Sequence, residues 1–306
     1  RSSDLAKQST ALPKSKRNRQ GKYAFALLLP SAIGFALFYI YPTLRGVALS
    51  FTDTIDLGTP GANVGFENYI KVFHDPIFWN AVRVTLQYVV INIGSQTILA
   101  LGLAVAIDRL TSATWIRIAL LMPWLIPGVS AAMLYRWILN PLVGVINQVA
   151  NIFGSQGWLF FGSETMAMPT VALVNTWRYV GYTSILIFAG IQMIPKSLYE
   201  AASLDGASEW RLFTRITMPL LRPVLVMVMV VSFIGSFQIF DTMVIATDGG
   251  PMNSTRAINY YIFEKAFEQY KIGYAAAMAT LLLLFLAIFS IFQMRIARAN
   301  ESDLSA

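Results

Sequence analysis

The sequence predicts an all-α polytopic membrane protein with six transmembrane helices. Of its 306 residues, 56% are hydrophobic and only 13% are charged, whereas a soluble globular domain carries about 25% charged residues. Six apolar runs follow one another along the chain, each close to the ~20 residues that a helix needs to cross a bilayer core. Cysteine is absent and His74 is the single histidine, which excludes disulfide bonds, thiol catalysis and His/Cys metal centres.

The chain begins with a basic tail, residues 1–22, which holds seven Lys or Arg and one acid. Basic segments beside a span stay on the cytoplasmic side, so we predict a cytoplasmic tail. It leads into a full-length span rather than a cleavable signal sequence. A six-helix transmembrane domain over residues 23–298 and a short cytoplasmic tail over residues 299–306 are predicted to follow.

The six predicted spans are separated by polar or charged segments. Arg178 interrupts the fourth apolar run. In chain order, the predicted spans cover residues 23–44, 84–107, 118–135, 165–195, 223–240 and 272–294.

The distribution of Lys and Arg fixes the orientation of these spans. With the N-terminus inside, the inner segments hold 15 of the 23 Lys and Arg and the outer segments hold 7, while Arg178 lies within a span. Because inner segments carry the excess of positive charge, both termini are predicted to be cytoplasmic. The segment between the fourth and fifth spans is then cytoplasmic as well.

That segment, residues 195–223, is a polar loop that we call loop 195–223. Ser197 is placed to cap a first short helix, and Gly206 to end it, because glycine accepts the left-handed conformation at a helix terminus. Ser208 is placed to cap a second helix and Pro219 to end it. The sequence thus predicts two short helices held between two membrane spans.

Within this loop, Glu200-Ala201-Ala202 is followed by Gly206, Ile216 and Met218-Pro219. This order and spacing resemble the EAA loop in the permease subunits of binding-protein-dependent ABC importers, with Met218 in place of the usual leucine. Other matches extend the resemblance over nearly the whole chain and point to the maltose and glycerol-phosphate permease branch. They are Asn68-Tyr69, Asp75-Pro76, Phe78-Trp79, Pro123, Pro127 and Gly249-Gly250-Pro251.

The resemblance implies that loop 195–223 docks into an ATPase subunit and transmits its motion to the spans. Trp210 and Phe213 could anchor in the ATPase or form the loop's own core, and Glu200 and Asp205 could be solvated helix-end residues. The alternative for the whole loop is an ordinary surface helix pair. The implied coupling residues are Glu200, Ala201, Ala202, Asp205, Gly206, Trp210, Phe213, Ile216 and Pro219.

A solute path is expected to show as polar side chains inside spans, where each costs free energy. Aromatic, amide and hydroxyl groups together suit a sugar, whose ring has an apolar face and hydroxyl edges. Hydrogen bonding between helices is the alternative for each residue. Arg178 could pair with Asp241, extend to the membrane surface or meet an anionic substrate. The candidates are Asn92, Gln96, Asn175, Trp177, Arg178, Tyr179, Tyr182, Ser236 and Gln238.

By resemblance, the chain is a permease subunit of a type I ABC importer for a sugar or sugar derivative in a bacterial or archaeal inner membrane. A glycerol-phosphate or other small-solute importer is the alternative. The implied partners are a second permease, a pair of ATPase subunits and an extracytoplasmic binding protein. The chain lacks a GxxxxGK[ST] phosphate loop, so ATP and Mg²⁺ are expected on the ATPase, and no cofactor in this chain. Its cations lie at membrane boundaries, which is not a nucleic-acid-binding pattern.

Two other classes of protein are less favoured by the sequence. A secondary transporter is expected to show internal repeats and carboxylates within its spans, and the apolar runs contain no acidic residue. A membrane enzyme needs a nucleophile with its base or a set of metal ligands, and the cysteine and histidine content argues against the common ones.

Overall fold

The computed structural model describes residues 27–56, 58–59, 61–110, 113–155 and 157–302. The predicted tail over residues 1–22, the start of the first predicted span and the last four residues of the chain lie outside this part. Within it every regular element is a helix, and the one β-bridge joins Thr52 and Asn63. The predicted all-α fold is confirmed.

Three described helices are long and apolar enough to cross a bilayer by themselves: α1 (Leu27–Leu49), α3 (Pro76–Leu110) and α13 (Ile272–Ser302). A short helix, α2 (Glu67–Phe73), precedes α3. The 35 residues of α3 extend about 52 Å at 1.5 Å per residue. Because a bilayer core is ~30 Å thick, α3 is long enough to extend beyond it.

The third predicted span, residues 118–135, is not one straight helix. It is formed by α4 (Thr114–Leu125) and α5 (Gly128–Ile138), which meet at an angle of 91°. The break lies at Ile126, whose ψ is 127°. Pro127 follows it, and proline disfavours the helical conformation in the residue before it.

The fourth and fifth predicted spans correspond to the helices α7 (Ala167–Gln192) and α10 (Arg222–Phe237). Arg178 interrupts the apolar run of the fourth predicted span but not its helix, and α7 is not among the described helices that are apolar enough to cross a bilayer by themselves. α10 is joined at 65° to the helix before it and ends earlier than predicted, at Phe237, with a separate helix after it. By length and composition, the described residues hold three helices able to cross a bilayer, or five spans if each bent pair is counted as one. The six predicted spans are compatible with this number of helices and stay a prediction.

The remaining helices are short and lie between the spans or beside them. They are α6 (Val145–Ile152), α8 (Lys196–Leu204), α9 (Glu209–Leu220), α11 (Asp241–Thr247) and α12 (Ile258–Phe263, continued by a π-helical turn over Glu264–Glu268).

The centre of the bundle is the contact between α3 and α7, with α10 packed on both. One buried cluster there includes Tyr88 and Val171, and a second, nearer loop 195–223, includes Ile187 and Leu221. Both are built from side chains of all three helices. This packing positions the polar residues of α3, α7 and α10 against one another.

The close approach of α4 to α7 depends on a glycine. A Cβ atom at Gly181 would lie 1.7 Å from the carbonyl oxygen of Leu120, so no larger residue fits without moving one helix. This contact brings the end of α4 beside the polar side of α7.

Candidate functional site: a polar cavity and a cytoplasmic loop

A cavity of about 220 Å³ with several polar lining residues lies between α3, α7 and α10, and the start of α11 also lines it. Eight of the nine predicted path residues line it: Asn92, Gln96, Asn175, Arg178, Tyr179, Tyr182, Ser236 and Gln238. Three helices that are distant in sequence therefore contribute to one site.

Trp177, the ninth candidate, does not line the cavity. Residues 175, 178, 179 and 182 are spaced by three and four and share one face of α7, whereas residue 177 lies off that face. The Trp177 ring packs edge-on against Tyr135, with 5.1 Å between ring centroids. Trp177 therefore packs between α7 and α5 instead of lining this cavity.

The amide side chains of the cavity are hydrogen-bonded between helices. Asn92 Nδ2 donates to Ser236 Oγ at 3.0 Å, and Gln96 Nε2 donates to Thr183 Oγ1 at 2.8 Å. Asn92 and Gln96 are only 4% and 5% exposed. Asn92 and Gln96 therefore form hydrogen bonds between helices and also line the cavity.

Asn175 follows the same pattern, since its Nδ2 donates to Thr242 Oγ1 at 3.2 Å. Thr242 and Asp241 belong to α11, and Tyr88 belongs to α3; none of the three was among the predicted path residues. Asp241 and Thr242 come directly after the fifth apolar run, so a search that includes the first polar residues after a span would have found them.

The less buried part of the wall is formed by the aromatic and charged residues of α7. Tyr182 stacks on Trp124 of α4, with 4.9 Å between centroids and 13° between ring planes. The guanidinium carbon of Arg178 lies 5.1 Å from the centre of the Tyr179 ring. These flat surfaces and the polar edges beside them suit a ligand with an apolar face and polar substituents.

Arg178 makes no ion pair with any described residue, and its Nε is buried without a hydrogen bond. Asp241 approaches it across Gly128: a Cβ atom there would lie 2.2 Å from Asp241 Oδ2 and 3.1 Å from Arg178 Nη1. Of the three roles considered for Arg178, pairing with Asp241 is not seen. Gly128 leaves room for the two charged groups to face the cavity separately.

Loop 195–223 folds as two helices, α8 and α9, joined by a tight turn. Gly206 has a φ of +73°, as its placement at the predicted end of the first helix requires. Its N–H donates to the Ser203 carbonyl, and the Ala207 N–H donates to the Ala202 carbonyl. These bonds satisfy the last carbonyls of α8 and fix the angle between the helices.

Three details of the predicted loop are corrected. Ser197 lies inside α8, because the helix begins at Lys196 and Pro195 occupies the N-cap position. Ser208 is extended at the start of α9, but its side chain makes no capping hydrogen bond. Pro219 does not end α9: a π-helical turn, Phe213–Thr217, precedes it, and the helix continues to Leu220.

The loop is attached firmly to the bundle. Tyr199 Oη and Thr217 Oγ1 are 2.9 Å apart and join α8 to α9. Tyr199 and Ile216 pack against the buried cluster formed by α3, α7 and α10, and Arg109 at the end of α3 forms an ion pair with Glu209. The loop therefore contacts side chains of three helices of the bundle.

The opposite surface of the loop is exposed. Leu204 is 90% exposed and Trp210 is 71% exposed, so Trp210 is not part of the loop's own core. Phe213 is half-buried beneath it, with 5.8 Å between ring centroids. The other predicted coupling residues on this surface are Glu200, Ala201, Asp205 and Gly206, all exposed, with Ala202 and Pro219 half-buried.

Among the described residues, no group of three or more His, Cys, Asp or Glu side chains could hold a metal ion. The two features that distinguish this molecule are a polar cavity within membrane spans and an exposed helical loop attached to those spans. Together they define a membrane transport subunit.

The chain belongs to the family of inner membrane components of binding-protein-dependent transport systems, whose model matches residues 96–301. It is 35% identical over 280 residues to the sulfoquinovosyl glycerol transport system permease protein SmoG of Agrobacterium fabrum, covering 91% of both chains. It is 29% identical to the trehalose/maltose transport system permease protein MalF of Thermococcus litoralis, covering 89% of this chain and 92% of that one.

Another relative is the sn-glycerol-3-phosphate transport system permease protein UgpA of Salmonella typhimurium, with 28% identity over 89% of this chain and 92% of that one. Among solved structures, a bacterial ABC transporter that imports alginate has a chain of the same fold, with a TM-score of 0.81. The two chains are 23% identical, and the match covers 93% of this chain and 98% of that one. The family that the EAA-like loop indicated is confirmed.

Proposed function

We propose that this chain is the permease subunit of an ATP-driven importer for a sugar or a sugar derivative. The relatives named above belong to transport systems for sulfoquinovosyl glycerol, trehalose and maltose, and glycerol phosphate. The aromatic and polar lining of the cavity supports the same class of solute, because a sugar offers an apolar ring face to an aromatic side chain and hydroxyl groups to amides.

The proposed complex contains a second permease, two ATPase subunits and an extracytoplasmic binding protein. A cavity of about 220 Å³ is smaller than the ~300–1,000 Å³ typical of small-molecule sites, which supports a path completed by another chain. ATP and Mg²⁺ would bind to the ATPase subunits. One relative by structure is an alginate transporter solved together with a periplasmic protein that holds an alginate pentasaccharide, which supports a binding protein as a partner.

Loop 195–223 is proposed as the element that couples ATP hydrolysis to transport. The observation that carries the proposal is its two-sided construction: one side is packed on the bundle through Tyr199 and Ile216, and the other exposes Leu204 and Trp210. Closure of two ATPase subunits would move this loop as a rigid body. The spans attached to it would then move as well, which changes access to the cavity.

A second candidate solute class is an anionic sugar derivative, such as a sulfonate or a phosphate ester. It is favoured by Arg178, whose buried Nε lacks a hydrogen bond at the cavity wall. Arg178→Gln is expected to reduce uptake of an anionic solute by at least tenfold, since a charge-assisted hydrogen bond contributes about 1.5–3 kcal/mol, and to leave uptake of a neutral sugar nearly unchanged. An equal loss of uptake for the anionic solute and the neutral sugar would show that Arg178 has a structural role and does not recognise the charge of the solute.

The proposed function is tested by reconstitution. The chain is purified from its native membrane with its bound subunits, inserted into liposomes that contain ATP, and supplied with the binding protein and a labelled sugar. Uptake is expected only with hydrolysable ATP and only with the binding protein present. Uptake driven by an ion gradient without ATP would instead indicate a secondary transporter.

A further inference from the structure

A second cavity, of about 360 Å³, lies where α3 ends, α4 begins and α7 ends. We call it the helix-end pocket. Its polar lining consists of Asp108, Arg109, Arg117 and Gln192. Because Arg109 also pairs with Glu209 of loop 195–223, the pocket is at the end of the bundle that the charge distribution assigns to the cytoplasm.

Among the residues that the structure describes, Arg117 is the cation of this pocket without a counterion. Its guanidinium carbon lies 4.6 Å from the centre of the Phe188 ring, and its Nε is buried without a hydrogen-bond partner. No ion pair joins it to a described residue. A buried donor that is left unpaired costs free energy, so the pocket is built to accept an anionic group on Arg117.

Asp108 is the anion in the pocket without a cationic partner. Its Oδ1 accepts a hydrogen bond from Gln192 Nε2 at 2.5 Å, and among the described ion pairs none includes Asp108. Arg109 is already paired with Glu209. The two arginines and two carboxylates cancel in charge, so a ligand with one negative and one positive group fits better than a simple anion.

The surroundings of the pocket favour a lipid over a soluble ligand. Leu110 lines the pocket and is 82% exposed, and Trp115 and Ile118 on the adjoining face of α4 are 69% and 59% exposed. These side chains provide an apolar surface for acyl chains next to the charged groups. Basic pockets between transmembrane helices on the cytoplasmic side bind the phosphate-bearing headgroups of anionic lipids, and here two carboxylates accompany the two arginines.

We propose that the helix-end pocket binds the headgroup of phosphatidylethanolamine, with the phosphate on Arg117 and the ammonium group on Asp108. The bound lipid would supply the missing partners of both residues. Because Arg109 connects the same pocket to loop 195–223, the lipid would also brace the loop against α3 and α4. This inference does not depend on which solute the protein transports.

The test is lipid retention by the purified complex, counted by native mass spectrometry after titration with phosphatidylethanolamine, phosphatidylcholine or phosphatidylglycerol. Wild type is expected to retain one phosphatidylethanolamine in preference to the other two lipids. Arg117→Gln should lower that retention about tenfold, as expected for loss of a charge-assisted hydrogen bond. Asp108→Asn should abolish the preference for phosphatidylethanolamine over phosphatidylcholine, whose trimethylated amine cannot donate a hydrogen bond.

The matched control is Arg295→Gln, which removes an exposed arginine on α13 outside the pocket and should leave retention unchanged. Arg117→Lys keeps the positive charge and should retain the lipid in part, which separates lost binding from a folding defect. Unchanged retention in Arg117→Gln, or equal retention of the three lipids by wild type, would overturn the proposal. Displacement of the lipid by an equal concentration of soluble phosphoethanolamine would show that the ligand is a soluble compound instead.

Discussion

At the scale of single residues, glycines determine where helices can approach and where the chain can turn. Gly181 allows a close contact between two helices, and Gly128 leaves space between two charged groups. Gly206 allows a left-handed turn. The sequence indicated only the turn, because its neighbours fit a helix end. The other two requirements arise from segments distant in sequence, which a single sequence does not bring together.

Gly206→Ala is expected to impair transport although its Cβ atom would meet nothing within 4 Å in this chain. The cost comes from the φ of +73°, since the left-handed conformation costs a residue with a Cβ about 1–2 kcal/mol. Gly206→Asn should impair transport less, because asparagine tolerates this conformation. ATP-driven uptake in proteoliposomes measures both, and equal wild-type rates for the two variants would refute the backbone argument.

Gly181→Ala is expected to destabilise the protein by about 1–3 kcal/mol, the usual cost of overpacking, because the added methyl group would displace the Leu120 carbonyl of α4. Gly102→Ala in α3 is the matched control. A Cβ atom there meets nothing within 4 Å, and alanine favours a helix, so stability should be unchanged or higher. Thermal unfolding in detergent compares the two; equal stability would mean that α4 and α7 are not in close contact.

At the scale of the elements, the sequence predicted the spans better than their shapes. A helix occupies the described part of each of the six apolar runs, but by length and composition the described residues hold three to five spans. The Asp205-Gly206 turn in loop 195–223 is present. The 91° break between α4 and α5 was missed although Pro127 was noted, because run length reports only that a segment is apolar. The π-helical turn before Pro219 was also missed, because a proline by itself predicts the end of a helix and not a π-helical turn before it.

The polar path shows the same limit. Spacing on α7 could have excluded Trp177, because residues 175, 178, 179 and 182 already define one face. Asp241 and Thr242 directly follow the fifth apolar run, so their positions could have marked them as candidates. Only the fold, however, places the start of α11 against α7. Hydrogen bonds such as that from Gln96 to Thr183 also depend on packing between separate helices.

Outside the spans, Asp75 joins three helices through its carboxylate. Tyr261 Oη of α12 and Tyr274 Oη of α13 donate to Asp75 Oδ2 at 2.5 and 2.6 Å, and the Ile77 N–H at the start of α3 donates to Oδ1 at 2.8 Å. Burial alone would raise the pKa of this carboxyl group, but these hydrogen bonds outweigh it and lower the pKa below its usual value of 3.8.

The lowered pKa of Asp75 predicts a stability that depends on pH. A carboxyl group whose pKa is lower in the folded state stabilises the fold at pH values above the unfolded pKa, ~3.9. That contribution is lost as the pH falls through the folded pKa. The unfolding temperature should therefore fall more steeply below about pH 4 in wild type than in Asp75→Asn. Parallel curves for the two proteins would contradict this role.

At the scale of the whole molecule, much apolar surface has no partner within this chain. α1 has no buried residue and packs on α13 through Tyr41–Leu49. Leu204 and Trp210, on loop 195–223, are also exposed. Surfaces of this kind are consistent with the proposal that the chain contacts lipid, a second permease and an ATPase.

The orientation of the molecule can be tested by cysteine labelling, since the chain has no native cysteine. Leu204→Cys in loop 195–223 and Met252→Cys in the turn after α11 replace residues that are 90% and 82% exposed. A membrane-impermeant reagent applied from outside is expected to label only Met252→Cys, and one applied to inverted vesicles only Leu204→Cys. Labelling of both sites from the same side would refute the six-span topology.

We propose that loop 195–223 is the site at which an ATPase couples to this permease. Its most direct test is the amount of ATPase that co-purifies with the tagged chain. Trp210→Ala is expected to lower that amount at least tenfold, because truncation of a central aromatic anchor commonly costs 2 kcal/mol or more, roughly thirtyfold in affinity. Glu200→Arg is expected to lower it at least tenfold as well, because it reverses the charge that the loop offers to the ATPase. Trp137→Ala is the control, since Trp137 is also exposed, at 58%, but lies on α5 at the predicted outer end. Loss of the ATPase in both loop variants with full retention in the control is the predicted result. Wild-type amounts of ATPase in both loop variants would contradict the claim.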